Sequence, residues 1–380
     1  MVPSQRFTLS ILRRVPHTIL SRMTKIPATQ YASTDPRDPI HLRGAQWSKL
    51  PRKERARCVE KAFQFWRAEG FPHYRLSNRQ VRLDFSRVLN LDCERMFSRG
   101  DIRTPNAGLR LANAYQPHMW RAHVSRYLSP MDIFNDDTLL RKAIIRSLTI
   151  WPNRFGANAS CLRRILKTFT SAASVSNYRP AVAKAIISNY SRAKSVVVDF
   201  SAGYGGRLLG ALTLDREYVG IEVNKGQVLG YRRMRRAIIA AGFALPNSHF
   251  VQGRAEETLI TIPARTADLV YSSPPFFDWE RYSTSREQSY KRYDNYERWR
   301  SEFLMPIITQ SVRILSTKGY LILNVTGGRR LPTPHDVQSV ARQLGFTLVQ
   351  SHSMIFPKIP YLHPRNGNPT KEERLLVFQK

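Results

Sequence analysis

Apolar residues in the first half of the chain recur at helical spacing. The stretch from Glu54 to Gly70, ERARCVEKAFQFWRAEG, follows that pattern and stops at a glycine, as a helix does. Helical patterns continue to about residue 170, interrupted by loops such as RGDIRTPNAG. From about Ser171 the texture changes. Short apolar runs alternate with helical segments: SVVVDF from 195, YVGIEV from 218, HFVQG from 249, ADLVYSS from 267 and GYLILNV from 319. This rhythm predicts a parallel sheet with helices on both faces. GFTLVQSHSMIF near 345 and ERLLVFQK at the C-terminus, joined by a stretch without helical pattern, predict a hairpin that closes the sheet antiparallel. The expected fold is α/β, with a mainly helical domain over 40–165 and a sheet domain over 171–380. No internal repeat is visible.

A chain of 380 residues has ample apolar content for one large domain or two ordinary ones. Sixty Lys plus Arg against 28 Asp plus Glu give a net charge of +32, spread along the sequence. Such an excess calls for a polyanionic partner, DNA or RNA, because each neutralised phosphate releases counterions. A membrane surface is the weaker expectation, since no long basic amphipathic stretch stands out. No run approaches the ~18 apolar residues of a bilayer-spanning helix, so no membrane partner is expected. Cys58, Cys93 and Cys161 lie far apart with no paired spacing, which argues against a disulfide framework or zinc cluster and for a reducing compartment. His118 and His123 in HMWRAH have no acid nearby, and no metal is expected there. Residues 1–39 are basic, with Arg6, Arg13, Arg14, Arg22 and Lys25 and no acid before Asp35. Two readings stay open for them. A flexible arm on nucleic acid fits a cytoplasmic, nucleoid-associated protein, the favoured location; a transit peptide would send it to a mitochondrion or other organelle.

The first predicted strand runs into Asp199-Phe200-Ser201-Ala202-Gly203-Tyr204-Gly205-Gly206-Arg207. Glycines there let the backbone turn tightly and approach a ligand before the next helix begins. The spacing is neither the GxGxxG of a dinucleotide site nor the GxxxxGK[ST] of a phosphate loop. The second strand ends at Glu222, where an acid accepts hydrogen bonds from both hydroxyls of a ribose. Together these features point to a nucleoside-containing cofactor over the first two strands.

DFSAGYGG, then GIEV, then SSPPF at the end of the fourth strand resembles the S-adenosylmethionine-dependent methyltransferases of exocyclic nucleobase amines. SNYRP and DFSAGYGGRLLGA resemble a phage- and bacterium-associated branch of them. The resemblance covers roughly residues 171–380. It implies a Rossmann-like class I methyltransferase domain with a seven-stranded, mostly parallel sheet whose last strand is antiparallel. It implies S-adenosyl-L-methionine as cofactor, contacted by Asn177, Tyr178 and Pro180 of SNYRP, by Asp199, Phe200, Ser201, Gly203 and Gly205, and by Glu222. Many members carry an adenine-binding acid on the third strand; here QGRAE offers Glu256 from a shifted position. The family's catalytic tetrapeptide, [DNS]PP[YFW], matches Ser273-Pro274-Pro275-Phe276. The resemblance implies that Ser273 and the Pro274 carbonyl accept the amine hydrogens, that the prolines hold those acceptors rigid, and that Phe276 stacks on a flipped base.

Serine at 273 leans the reading toward cytosine N4 over adenine N6. Carbon-5 methylation is excluded because it needs a cysteine nucleophile, commonly in a Pro-Cys pair, and none of the three cysteines has that context. Phe277, Arg281 and Tyr282 are expected to touch substrate. They lead a segment of interleaved aromatics and cations reaching Arg300, suited to stacking bases and neutralising phosphates. Its Tyr296 and Trp299 are expected to pack inward. Little chain follows SSPPF beyond the sheet, so target recognition is expected from the helical domain or from this loop. An RNA base methyltransferase, organellar if the N-terminus is a transit peptide, is the nearest alternative, and an inactive methyltransferase-like nucleic-acid-binding or assembly protein is the second.

Overall fold

The computed structural model describes residues 37–380 except 126, 152–153, 170–173, 276, 279, 327–333 and 356–372. Nearly all of the basic segment 1–39 therefore lies outside the described residues, as do Phe276 and Trp279. The strands in chain order are β1 (Phe97–Ser98), β2 (Asp101–Arg103), β3 (His123–Val124), β4 (Val196–Asp199), β5 (Glu217–Glu222) and β6 (Ser248–Gln252). They continue with β7 (Ala267–Ser272), β8 (Glu280–Arg281), β9 (Leu315–Thr326), β10 (Thr347–Ile355) and β11 (Glu373–Gln379).

Nine of them form one sheet in the order β1-β2-β10-β11-β9-β7-β4-β5-β6, and β3 pairs separately with β8. β4, β5, β6, β7 and β9 run parallel, and β11 is antiparallel to both β9 and β10. Counted in chain order, the seven main strands lie 3-2-1-4-5-7-6. This is the Rossmann-like class I methyltransferase arrangement, and the C-terminal hairpin closes it as the sequence suggests. Among the described residues the sheet has nine strands where seven were expected, because β1 and β2 join its edge; RGDIRTPNAG, which reads as a loop, contributes β2. Ile102 is the only apolar residue of β2, too short a signal to register as a pattern. It is fully buried, contributing about 1.5–3 kcal/mol, and its strand pairs parallel with Ser353–Ile355.

Helices cover both faces. Pro180–Tyr190, Gly206–Ala211 and Lys225–Ala240 pack on one, through Ile186, Leu208 and Tyr231; Met305–Ile314 and Pro334–Gln343 pack on the other, with Trp299, Phe303 and Val340. The earlier helices start where local chemistry allows. Ser77 and Gln80 form a reciprocal capping box at Asn78–Leu89, Asp136 accepts from Leu139 N at 2.8 Å, and Asn158 accepts from Cys161 N at 2.8 Å. The segment 40–165 contributes to two cores. Trp66, Trp120 and Phe134 centre one of its own, whereas Val81, Phe85 and Leu111 join the sheet-facing cluster of Ile186 and Tyr231. Among the described residues no helix is long and apolar enough to cross a membrane.

Candidate active site

Strand order reverses between β4 and β7: from β4 the chain steps outward to β5 and β6, then returns to β7 on the other side. The crevice beyond the C-terminal ends of such a pair is where open α/β sheets bind ligands. The glycine loop follows β4 and Ser273-Pro274-Pro275 follows β7, so both motifs converge there. A cavity of ≈ 450 Å³ opens at this point.

The glycine loop is gripped from above by SNYRP. Asn177 Oδ1 accepts from Gly206 N at 3.1 Å, and its Nδ2 donates to Tyr204 O at 2.9 Å and Asn113 Oδ1 at 3.1 Å. The approach is so close that a Cβ on Gly206 would lie 1.9 Å from Tyr178 O, so only glycine fits. Gly203 is bare for a different reason. Its φ is +60°, and a Cβ there would meet protein no nearer than Ser201 O at 3.7 Å, so its open side faces the cavity.

Asp199 is the structural knot beneath the loop. Fully buried, it accepts from Arg207 Nε, Tyr218 OH and Ser272 Oγ, each at 2.7 Å, and so ties β4, β5, β7 and the helix after the glycines together. Burial would lower the Arg207 pKa; the Asp199 carboxylate more than reverses this and holds the guanidinium charged. Ser272 Oγ in turn accepts from Ser201 N at 3.0 Å.

Glu222 stands at the end of β5, 8% exposed. Its Oε2 accepts from Gly203 N and its Oε1 from Asn224 N, both at 3.0 Å. Burial raises its pKa to about 7 against the pull of these two N–H groups. Each oxygen keeps a further lone pair for a ligand hydroxyl. Glu256, just after β6, takes Arg292 at 2.6 Å and Tyr293 OH at 3.0 Å on Oε1, which leaves Oε2 for a donor in the cavity.

At the end of β7, Ser273 Oγ donates to Asn324 O at 3.3 Å. Ser273 and Pro275 line the cavity together with Asn177, Tyr178, Phe200, Ser201, Gly203, Glu222, Glu256 and Tyr282. The other candidates lie elsewhere. Asp199 is sealed beneath the loop, Gly205 (φ +78°) caps the following helix, and Pro180 opens the helix behind it. Pro274 is buried outside the cavity lining. Phe277 packs edge-on against Tyr296, and the exposed Arg281 lies over the Tyr290 ring at 5.4 Å. Tyr296 in turn stacks on the buried Trp299, the inward packing anticipated for that pair.

Sequence reading missed several residues. Tyr204, inside the glycine loop, lines the cavity and packs against Tyr282, their ring centroids 6.0 Å apart. His118 also lies against Tyr204, with ring centroids 5.8 Å apart, and is kept neutral, its pKa lowered to about 4 by burial and then by Arg233. His123 pairs with Asp132 at 2.7 Å. Arg207, Arg254 and Asn324 also line the cavity. Asn324 was hidden inside GYLILNV, which reads only as a buried strand.

No family model matches the chain, and no curated protein matches it. Solved structures that resemble it include a TehB-like SAM-dependent methyltransferase from Corynebacterium glutamicum, at 14% identity and TM-score 0.34, covering 54% of this chain and 89% of that one. Others are a SAM-dependent methyltransferase from Methanosarcina mazei (14%, 0.36, 51% and 96%) and TrmN from Thermus thermophilus (16%, 0.35, 53% and 48%). At these scores the likenesses carry no argument of their own, and the fold class rests on the strand order.

Proposed function

We propose that the protein is an S-adenosylmethionine-dependent methyltransferase of an exocyclic nucleobase amine in DNA, cytosine N4 before adenine N6. The observation that carries this reading is the meeting of the glycine loop, Glu222, Glu256, Ser273 and Pro275 around one cavity at the switch point. The cavity's residues fit the cofactor: Gly203 leaves backbone room, Glu222 offers acceptors for two ribose hydroxyls, and Glu256 offers one for an adenine amine. When bound, the cofactor supplies an electrophilic methyl group.

The chain's task is to make a weak nucleophile attack. An exocyclic amine has its lone pair delocalised into the ring, and acceptors for its hydrogens favour the tetrahedral nitrogen. A hydroxyl serves as an acceptor once its own hydrogen is placed elsewhere, and Ser273 gives that hydrogen to Asn324 O. The nitrogen gains a carbon and loses a proton to solvent; no covalent bond to the protein is needed. The net charge of +32 and the exposed Arg232, Arg233 and Arg236 on the helix after β5 support a nucleic-acid partner.

Mass spectrometry of nucleosides from DNA and RNA, with and without expression of the protein, tests the reading. N4-methylcytosine rising in DNA is expected. A rise confined to an RNA nucleoside would remove the DNA assignment, and no rise, with no cofactor binding by calorimetry, would revive a scaffold role.

Glu222 gives the cofactor site a pH dependence. Its folded pKa is raised, so the folded state holds a proton that the unfolded state has lost between about pH 4.5 and 7, and this group's contribution to stability falls as pH rises through that window. Ligand binding runs the other way, because the ionised form accepts both hydroxyls. The affinity for S-adenosylhomocysteine is expected to rise about five- to tenfold between pH 6 and 8. Glu222→Gln should bind more weakly and flatten the profile in calorimetric titrations; an unchanged profile would count against a ribose role.

A further inference from the structure

In β9, Leu323 lies opposite Ser272, which puts Asn324 beside Ser273 at the catalytic strand end. Asn324 is 4% exposed and lines the cavity. Its Nδ2 lies 3.5 Å from Ser273 Oγ, a long contact, and its buried Oδ1 has no hydrogen-bond partner among the described residues. Folded proteins keep few such orphans, because desolvating an unpaired amide opposes folding. Along the strand its same-face neighbours are Ile322, which is apolar, and Thr326, whose buried hydroxyl is also without a partner among the described residues, so neither satisfies it.

A carboxamide is a fork with an acceptor on one tine and donors on the other. Cytosine presents the complement, an N4 hydrogen beside the bare ring nitrogen N3, as does adenine with N6 and N1. Thymine, uracil and guanine present the reverse, a carbonyl oxygen beside a ring N–H. We propose that Asn324 reads this edge of the target base: Oδ1 accepts the amine hydrogen on the ring-nitrogen side, and Nδ2 donates to the ring nitrogen. The remaining amine hydrogen goes to Ser273 Oγ, and to admit the base the amide turns away from its 3.5 Å contact with that hydroxyl. The inference rests on the base-methylation reading above and adds to it the group that selects amino-bearing bases. It also supplies the second acceptor that Pro274, buried outside the cavity lining, was expected to provide.

The site lends itself to a clean test, because Ser273 is held by the main-chain carbonyl of residue 324, which survives any substitution there. Transfer of labelled methyl to oligodeoxynucleotides is measured for wild type, Asn324→Leu and Asn324→Asp, alongside S-adenosylhomocysteine affinity and melting midpoint. Asn324→Leu is expected to lose about ten- to a hundredfold in kcat/KM, as for one bidentate base contact, with cofactor affinity and melting midpoint unchanged. Asn324→Asp, an acceptor without a donor, should lose similarly and recover as pH falls and its carboxyl gains a hydrogen. Replacing the target cytosine by 3-deazacytosine should slow wild type and leave Asn324→Leu no slower than with cytosine. Wild-type turnover in Asn324→Leu, or an equal 3-deaza penalty in both proteins, would overturn the assignment while leaving base methylation intact. Absence of methyl transfer to any nucleic acid by wild type would overturn both.

Discussion

Asp199→Ala is expected to destabilise the protein by about 3–5 kcal/mol, the cost of stranding a buried charge by removing its partner. Arg207 is 4% exposed, and its other bond, to the Ser201 carbonyl, does not neutralise it. The change also unhooks Tyr218 and Ser272 and so frees both motif-bearing loops at once. Denaturant unfolding measures the loss. Adding Arg207→Met should recover much of it, because the pair is then replaced by an apolar group instead of being broken. A loss below about 1 kcal/mol for the single change would mean that water reaches Arg207, contrary to the sealed geometry.

The second large effect belongs to chemistry. Ser273→Ala should lower kcat by about 10²-fold while S-adenosylhomocysteine affinity stays within several-fold, since the lost acceptor acts on the amine in the transition state. Pro275→Ala should behave similarly by loosening the strand end. Single-turnover methyl transfer distinguishes this from slow product release. Unimpaired turnover in both variants would remove the motif from the mechanism.

What could be read from the sequence follows from how each feature is encoded. The parallel strands were visible because strands buried on both faces are near-continuous apolar runs, as in SVVVDF and ADLVYSS. Glycine loop and SSPPF were visible because rigid backbone chemistry has few spellings. Other features were not spelled locally. β2 carries a single apolar residue and forms only because β10 arrives beside it. Asp199 sits in the motif yet turns inward, a direction fixed by Arg207 eight residues on and by Tyr218 and Ser272 on neighbouring strands. Arg281 and Phe277 follow Ser273-Pro274-Pro275, but each is drawn onto an aromatic neighbour, Tyr290 or Tyr296, that no spacing rule predicts. Asn324 is the one polar letter in the apolar run YLILNV, and its meaning comes from its neighbour across the ladder.

The small ladder between β3 and β8 joins His123 to Arg281 and Val124 to Glu280, shortly after Ser273-Pro274-Pro275. Tyr204 of the glycine loop is rooted in the core built around Trp66 and Trp120, and Tyr282 packs against that core. The cavity wall formed by Tyr204 and Tyr282 is therefore backed by the helical segment. Transplanting the sheet domain without residues 40–165 would leave behind half the strap that holds Glu280 and Tyr282 in place, and the recipient would inherit an open-sided pocket. Variants that alter the helical segment and those that alter catalysis should accordingly be selected together, as one inherited part.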